Sequence, residues 1–352
     1  MADEITELEL LLKEAVSHGA SDLHLIANLP PILRVTGEIR SLPYAPLTSE
    51  SISHLLEPYL EEHHHEMFKQ DMRMNFSVSL ESVGRFRFNV YLAMSTVGAT
   101  IRVIPNKIES LVALGLPPIV GSLAHKKSGI IFVTGYTGSG KSTTMASMLE
   151  WVNQTGRPGK IITIEDPIET VFKPSRSIFV QREVGVDTPT FDMGILDALR
   201  QDPDILCIGE MRDAASIRAA LLAAETGHLV LTTLHTRDAS KTTQRVLTAV
   251  PSSDQDSLRE QLSMTLEAVI CQELLPRADG RGLVLACEIM IVTPAVRQMI
   301  KENKLESIND AIQSGTNVGM ISKDSFVRNL LQKNVITKEV ALGAVRNPDM
   351  LR

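Results

Sequence analysis

Residues Gly135-Tyr136-Thr137-Gly138-Ser139-Gly140-Lys141-Ser142 fit the spacing G-x-x-x-x-G-K-[ST]. An apolar run at 130–134 enters this segment and a helical pattern at 142–153 leaves it, the context a phosphate-binding loop requires. The glycines let backbone N–H groups turn toward an anion without Cβ clashes, and the helix N-terminus adds partial positive charge. Lys141 supplies a cation to β- and γ-phosphate oxygens, and the Ser142 hydroxyl suits a Mg²⁺ shell. The expected nucleotide contacts are Gly135, Thr137, Gly138, Ser139, Gly140, Lys141, Ser142 and Thr143.

Two further apolar runs end in carboxylates. Residues 161–164 lead into Glu165-Asp166-Pro167, and 205–208 lead into Gly209-Glu210. Open α/β sheets gather ligand groups at the carboxyl ends of their strands. Gly209 stands where an Asp for the magnesium shell usually closes such a strand. Glu210 is therefore expected to orient or deprotonate water, with Glu165 or Asp166 holding the hydrated metal and Glu165 the alternative base. His235 closes a third apolar run, 229–234, and could reach a γ-phosphate. His228 begins that run; seven residues at about 3.3 Å each put it roughly 23 Å away, which marks it as structural. His63-His64-His65 falls in a helical pattern where neighbours point about 100° apart, so it reads as an exposed polar run.

A third group lies upstream. Along 85–94, Phe86, Phe88 and Val90 alternate with Arg85, Arg87 and Asn89, which puts aromatics on one strand face and arginines on the other. Arg102 follows on the next strand. A solvated polar face is the plain reading; the chemical one is an anion contact, since this face shows no evident acidic partner.

These residues need two kinds of scaffold. Residues 5–16 have helical spacing; extended patterns follow at 22–26, 32–35 and 38–42, a helical stretch at 49–70, and strands at 74–80, 85–94 and 99–104. This predicts a small α+β domain with an antiparallel sheet. A Pro-containing linker follows, and then strands at 130–134, 160–165, 205–208, 229–234 and 286–292 alternate with helices at 142–153, 191–201, 214–225 and 253–272. That alternation predicts an α/β parallel sheet buried on both faces. From 294 the pattern is helical only, at 295–303, 305–313, 323–332 and 337–344. The predicted boundaries are 1–105, a linker 106–118, and 119–352.

Composition narrows the class. The chain has 352 residues, 43% apolar and 22% charged, the profile of ordinary globular domains rather than disorder or low complexity. No apolar run approaches the roughly 18 residues of a membrane helix, and no secretory signal opens the chain. The net charge of −7 argues against a general nucleic-acid binder. Residues 1–105 carry 8 Lys and Arg against 14 Asp and Glu, whereas the remainder is nearly neutral. Cys207, Cys271 and Cys287 are too scattered for a disulfide framework or zinc site and fit cytosolic thiols.

Taken together, GYTGSGKST, ITIEDPIE, QREVGVDT, ALRQDPDILCIGEMRD and AAETGHLVLTTLHT resemble the secretion-type ATPase superfamily. The later stretches EIMIVTPAVRQMI and KLESINDAIQSG resemble its type IV pilus retraction branch, which drives twitching motility. The segment aligned with that branch's A-I-R-N-L-I reads Ala295-Val296-Arg297-Gln298-Met299-Ile300, with three substitutions. The resemblance implies a PAS-like N-terminal domain, a RecA-like P-loop domain with a helical C-terminal segment, and a ring-shaped homohexamer hydrolysing ATP with Mg²⁺. It implies a cytoplasmic motor at the inner-membrane pilus base, acting on a membrane platform protein without inserting into the bilayer, alone or beside a paralogous retraction or assembly ATPase. Within such a ring, Arg85, Arg87 or Arg102 is expected to act in trans on a neighbour's nucleotide. The alternatives are an accessory PilU-like ATPase, an assembly or secretion ATPase and, from another class, a P-loop nucleic-acid translocase.

Overall fold

The computed structural model describes residues 6–81, 83–104, 107–211 and 213–351. The chain divides into two units: Met1–Lys107 with Glu169–Val171, and Ile108–Ile168 with Phe172–Arg352.

In the first unit, α1 (Glu7–Ser17) starts at Thr6, whose side chain accepts from Glu9 N, and buries Leu8, Leu11, Leu12 and Ala15 on one face. The strands β1 (Ala20–Leu25), β2 (Ile32–Val35), β3 (Glu38–Ser41), β4 (Arg73–Leu80), β5 (Gly84–Ala93) and β6 (Thr96–Ile104) form an antiparallel sheet in the order β3-β2-β1-β6-β5-β4. Phe86, Phe88 and Val90 are completely buried, as the alternation predicts. Each fully buried side chain of this kind contributes about 1.5–3 kcal/mol.

The stretch expected as one helix over 49–70 is two: α2 (Ser49–Leu56) and α3 (Glu62–Asp71), separated by a 3-10 turn at Glu57–Tyr59. Pro58 explains the break, because it lacks the N–H that a continuing helix would use. The three histidines are not a uniform exposed run. His64 is buried, its Nδ1 accepts from Glu61 N at 3.0 Å, and its ring lies 4.7 Å from that of Phe76. It caps α3 and fills the core.

The second unit holds β7 (Gly129–Thr134), β8 (Lys160–Glu165), β9 (Ile178–Glu183), β10 (Ile205–Ile208), β11 (Leu229–Leu234), β12 (Leu266–Pro276) and β13 (Leu283–Ile291). Their order is β13-β12-β7-β11-β10-β8-β9; only the β12–β13 pair is antiparallel. Helices α4 (Ile119–Ala124), α5 (Lys141–Thr155), α6 (Phe191–Ala198), α7 (Ala214–Glu225), α8 (Ala239–Leu247) and α9 (Gln255–Thr265) cover the sheet. Ile130 and Phe132 of β7 enter one apolar cluster, while Ile131 and Val133 enter another. Opposite pleats are thus both buried, the reason these strands read as unbroken apolar runs.

Three expectations need correction here. The predicted helix 253–272 stops at Thr265, and Leu266–Pro276 is a strand beside β7. Its apolar run at 268–271 suits a strand buried on both faces. Residues 108–118 are not a free linker, since Leu111 and Leu116 are buried in the second unit's core; Pro105 and Asn106 lie outside the described residues. Finally, β9 and α8 were not anticipated.

The C-terminal helices α10 (Pro294–Lys301), α11 (Ile308–Ser314), α12 (Lys323–Gln332) and α13 (Lys338–Ala344) close this unit. Arg297, in the substituted AVRQMI segment, donates from Nη1 to Ser263 O and, at 2.6 Å, to Met264 O. Its charge satisfies carbonyls left open at the end of α9. Among the described residues, no helix is long and apolar enough to cross a membrane. Cys207, Cys271 and Cys287 are buried and free.

Candidate nucleotide site

Strand register assembles the site. Parallel pairing sets Thr134 beside Leu234, Ile208 beside Thr232, and Ile208 beside Ile164. The residues that follow these strands, Gly135, His235, Gly209-Glu210 and Glu165-Asp166, therefore share one edge of the sheet, where such sheets bind ligands.

The loop between β7 and α5 has the conformation its glycines allow. Gly138 and Gly140 have φ of 79° and 84°, and Gly140 caps α5 without any side-chain hydrogen bond. Gly135 has φ of 148°, and a Cβ there would lie 2.4 Å from both Gln272 O and Ser139 Oγ. No other residue fits at 135. Lys141 is buried and donates from Nζ to Gly135 O and Tyr136 O, each at 3.0 Å. Burial lowers its pKa, and the nearby negative charge of Glu210 opposes that shift. Tyr136, Thr137, Gly138, Ser142 and Thr143 are exposed, whereas Ser139 is buried.

Glu165 is held in place, since its Oε1 accepts from Thr163 Oγ1 at 2.6 Å and from Gln181 Nε2 at 3.3 Å. Asp166 beside it is exposed. Glu210 Oε1 lies 3.0 Å from His235 Nε2, and Thr233 Oγ1 donates to Gly209 O at 2.6 Å. His228 stays at the opposite end, its Nδ1 3.0 Å from Ala223 O.

The residues present suit a Mg²⁺ nucleotide. The glycine cradle leaves room where any side chain would intrude, a buried ammonium faces the loop, and the Ser142 hydroxyl opens α5. Among the described residues no group of three or more His, Cys, Asp or Glu could hold a metal by itself. Mg²⁺ bound with a nucleotide takes one or two protein groups together with phosphate and water.

The arginine face stands differently from its reading in sequence. Arg102 Nε donates to Asp22 Oδ1 at 2.9 Å, so this face does carry an acidic partner. Asp22 sits on β1, which pairs with β6 and sets Asp22 opposite Arg102. Arg85 Nη1 donates to Ser79 Oγ at 2.9 Å, and Arg87 Nη1 lies 3.9 Å from Glu169 Oε1 of the segment grouped with this unit. All three belong to the first unit and are not part of the edge described above.

Three other side chains at the site were missed. Gln272 of β12 donates from Nε2 to Ser139 O at 3.3 Å. Gln181 of β9 orients Glu165. Arg237, two residues past His235, stacks its guanidinium 4.3 Å from the centroid of the Tyr136 ring. The polar Gln272 at the end of the apolar run 268–271 was the one local signal available.

The chain matches the family model for type II/IV secretion system proteins over residues 4–315. It is 41% identical to the type IV pilus retraction ATPase PilT of Pseudomonas aeruginosa, across 98% of this chain and 99% of that one. Identity to a twitching motility protein of Neisseria gonorrhoeae is 39%, over 97% and 91% of the two chains. The crystal structure of the pilus retraction motor PilT with bound ADP aligns with a TM-score of 0.90 at 43% identity, covering 98% of each chain.

Proposed function

The chain belongs to the type II/IV secretion system protein family, and from that premise we propose that it is a Mg²⁺-dependent ATPase powering type IV pilus retraction and twitching motility. The observation that carries this reading is the shared sheet edge bearing the phosphate loop, Glu165 and the Glu210–His235 pair. Near-complete coverage of pilus retraction ATPases supports the motor assignment.

In the proposed mechanism the amides of Gly138 and Gly140 cradle the phosphates, the Ser139 N–H donating instead to Tyr136 O at 3.1 Å, while Thr137 and Thr143 flank them. Lys141 leaves the carbonyls of Gly135 and Tyr136 and neutralises β- and γ-phosphate oxygens. Bound Mg²⁺ would supply further charge neutralisation, with Ser142 and, through water, Glu165 and Asp166 as its protein contacts. Glu210 takes the proton of the attacking water, and His235 fixes the carboxylate that does so. The active form is a homohexamer, each subunit joining a PAS-like first unit to a RecA-like second unit. It works in the cytoplasm against a membrane platform protein at the pilus base, alone or beside a paralogous ATPase.

Two measurements test this reading: phosphate release by the purified protein, and native mass with and without ATP. A hexamer that hydrolyses ATP supports it. A monomer under every condition removes the ring mechanism, and an inert hexamer removes the enzyme.

A further inference from the structure

We propose that Gln272, in β12 one residue past its pairing with β7, is a positioning residue that shapes the phosphate loop for nucleotide binding. The inference rests on the nucleotide-site reading above and assigns a role to a strand outside every recognised motif.

Gln272 is only 6% exposed and directly follows the buried apolar residues 268–271. Its Nε2 donates to Ser139 O at 3.3 Å, across 133 residues of sequence. Its Oε1 is buried without a hydrogen-bond partner, and so is the Ser139 hydroxyl. Buried amides normally satisfy both ends, so an unmatched acceptor beside a ligand loop marks a group kept for a purpose. The backbone carbonyl of Gln272 lies against the same loop, so close that a Cβ at position 135 would sit 2.4 Å from it.

The geometry explains the purpose. In a trans peptide the C=O and N–H point in opposite directions. Drawing Ser139 O toward β12 therefore turns the Gly140 N–H away from it, freeing that amide for an anion. Carbonyls facing a phosphate would repel it, and three in this loop are occupied by protein donors: Gly135 and Tyr136 by Lys141, and Ser139 by Gln272. Once Lys141 swings to the nucleotide, Gln272 remains to hold the loop's shape. Its effect should therefore appear in affinity more than in the chemical step.

ADP binding by titration calorimetry, steady-state ATPase kinetics and thermal unfolding of the full-length protein test this. Gln272→Met keeps the length and volume but removes the donor; ADP affinity should fall about 3- to 10-fold, the range of one neutral hydrogen bond. Gln272→Glu sets a carboxylate against the Ser139 carbonyl, so the loss should be about tenfold or more. KM should rise in step, with kcat within about twofold of wild type, and the Met variant should unfold near the wild-type temperature. Wild-type ADP affinity in the Met variant overturns the proposal whatever the other variant does. A large drop in unfolding temperature with unchanged binding assigns Gln272 to the core and also overturns it. If wild-type protein itself binds no ADP, the nucleotide-site reading has failed.

Discussion

His235 Nε2 and Glu210 Oε1 meet at 3.0 Å, joining the carboxyl ends of β11 and β10. The two strands are adjacent and in register, so the contact follows from the pairing of Ile208 with Thr232. A histidine N–H directed at the carboxylate fixes the orientation of Glu210 at the sheet edge.

Glu210→Gln should therefore retain ATP binding and lose turnover. An amide preserves the shape and can still accept from His235, but it cannot take a proton. ATP affinity and single-turnover hydrolysis, measured on the same preparation, decide it. Collapse of affinity along with rate would make Glu210 a binding group and Glu165 the base.

Lys141→Ala should lower ATP hydrolysis by about 10²–10³, the usual effect of deleting a group that stabilises transition-state charge. A phosphate-release assay that retains more than about a tenth of wild-type activity would sink the assignment of the loop.

If the arginines of the first unit act on a neighbour's nucleotide, mixing two inactive proteins should restore activity. One carries Lys141→Ala and the other lacks Arg85, Arg87 and Arg102. Some mixed interfaces would pair an intact loop with intact arginines, and such arginines can be worth 10³–10⁵ in rate. Wild-type hydrolysis by the triple mutant alone would reduce them to a solvated face. Because Asp22 is buried against Arg102, thermal unfolding must be read alongside, with about 1–3 kcal/mol lost on removing that guanidinium.

The buried Glu288 gives a pH test. Its Oε2 lies 3.0 Å from Arg346 Nη2, and its Oε1 accepts from Ala239 N at 3.1 Å. Burial raises its pKa above the ordinary 4.5, and Arg346 partly opposes the rise. A carboxyl with a raised native pKa binds its proton more tightly folded than unfolded. Stability therefore falls as pH climbs from about 4.5 through the native value. Arg346→Gln raises that native pKa further and prolongs the fall. The stability gap between variant and wild type, measured by thermal unfolding, should widen from pH 5 to pH 8, reaching about 1–3 kcal/mol. That lies below the 3–5 kcal/mol of a fully buried pair because Arg346 is partly exposed. A gap independent of pH would show that the Glu288 carboxyl does not titrate over that range and would overturn this assignment.

Local pattern alone determined much of this protein. The phosphate loop was legible because its glycines, lysine and serine act within eight consecutive residues. The strand ends at Glu165, Glu210 and His235 were legible because apolar runs stop abruptly at them. Phe86, Phe88 and Val90 declared their face by alternation. Each signal rests on neighbours in sequence, where backbone geometry alone fixes direction.

What the sequence left undecided depends on contacts across long separations. Leu266–Pro276 carries no local mark that outweighs the helical pattern before it, and pairing with β7 made it a strand. Arg102 and Asp22 are 80 residues apart, and only the β1–β6 register reveals them as partners. His64 looked like one of three exposed histidines until the packing of α3 on Phe76 enclosed it. Gln272 reaches the phosphate loop because β12 and β7 lie side by side, a neighbourhood created only when the sheet closes its hydrogen bonds. Residue type and spacing defined the reacting groups, and sheet register determined which side chains hold them.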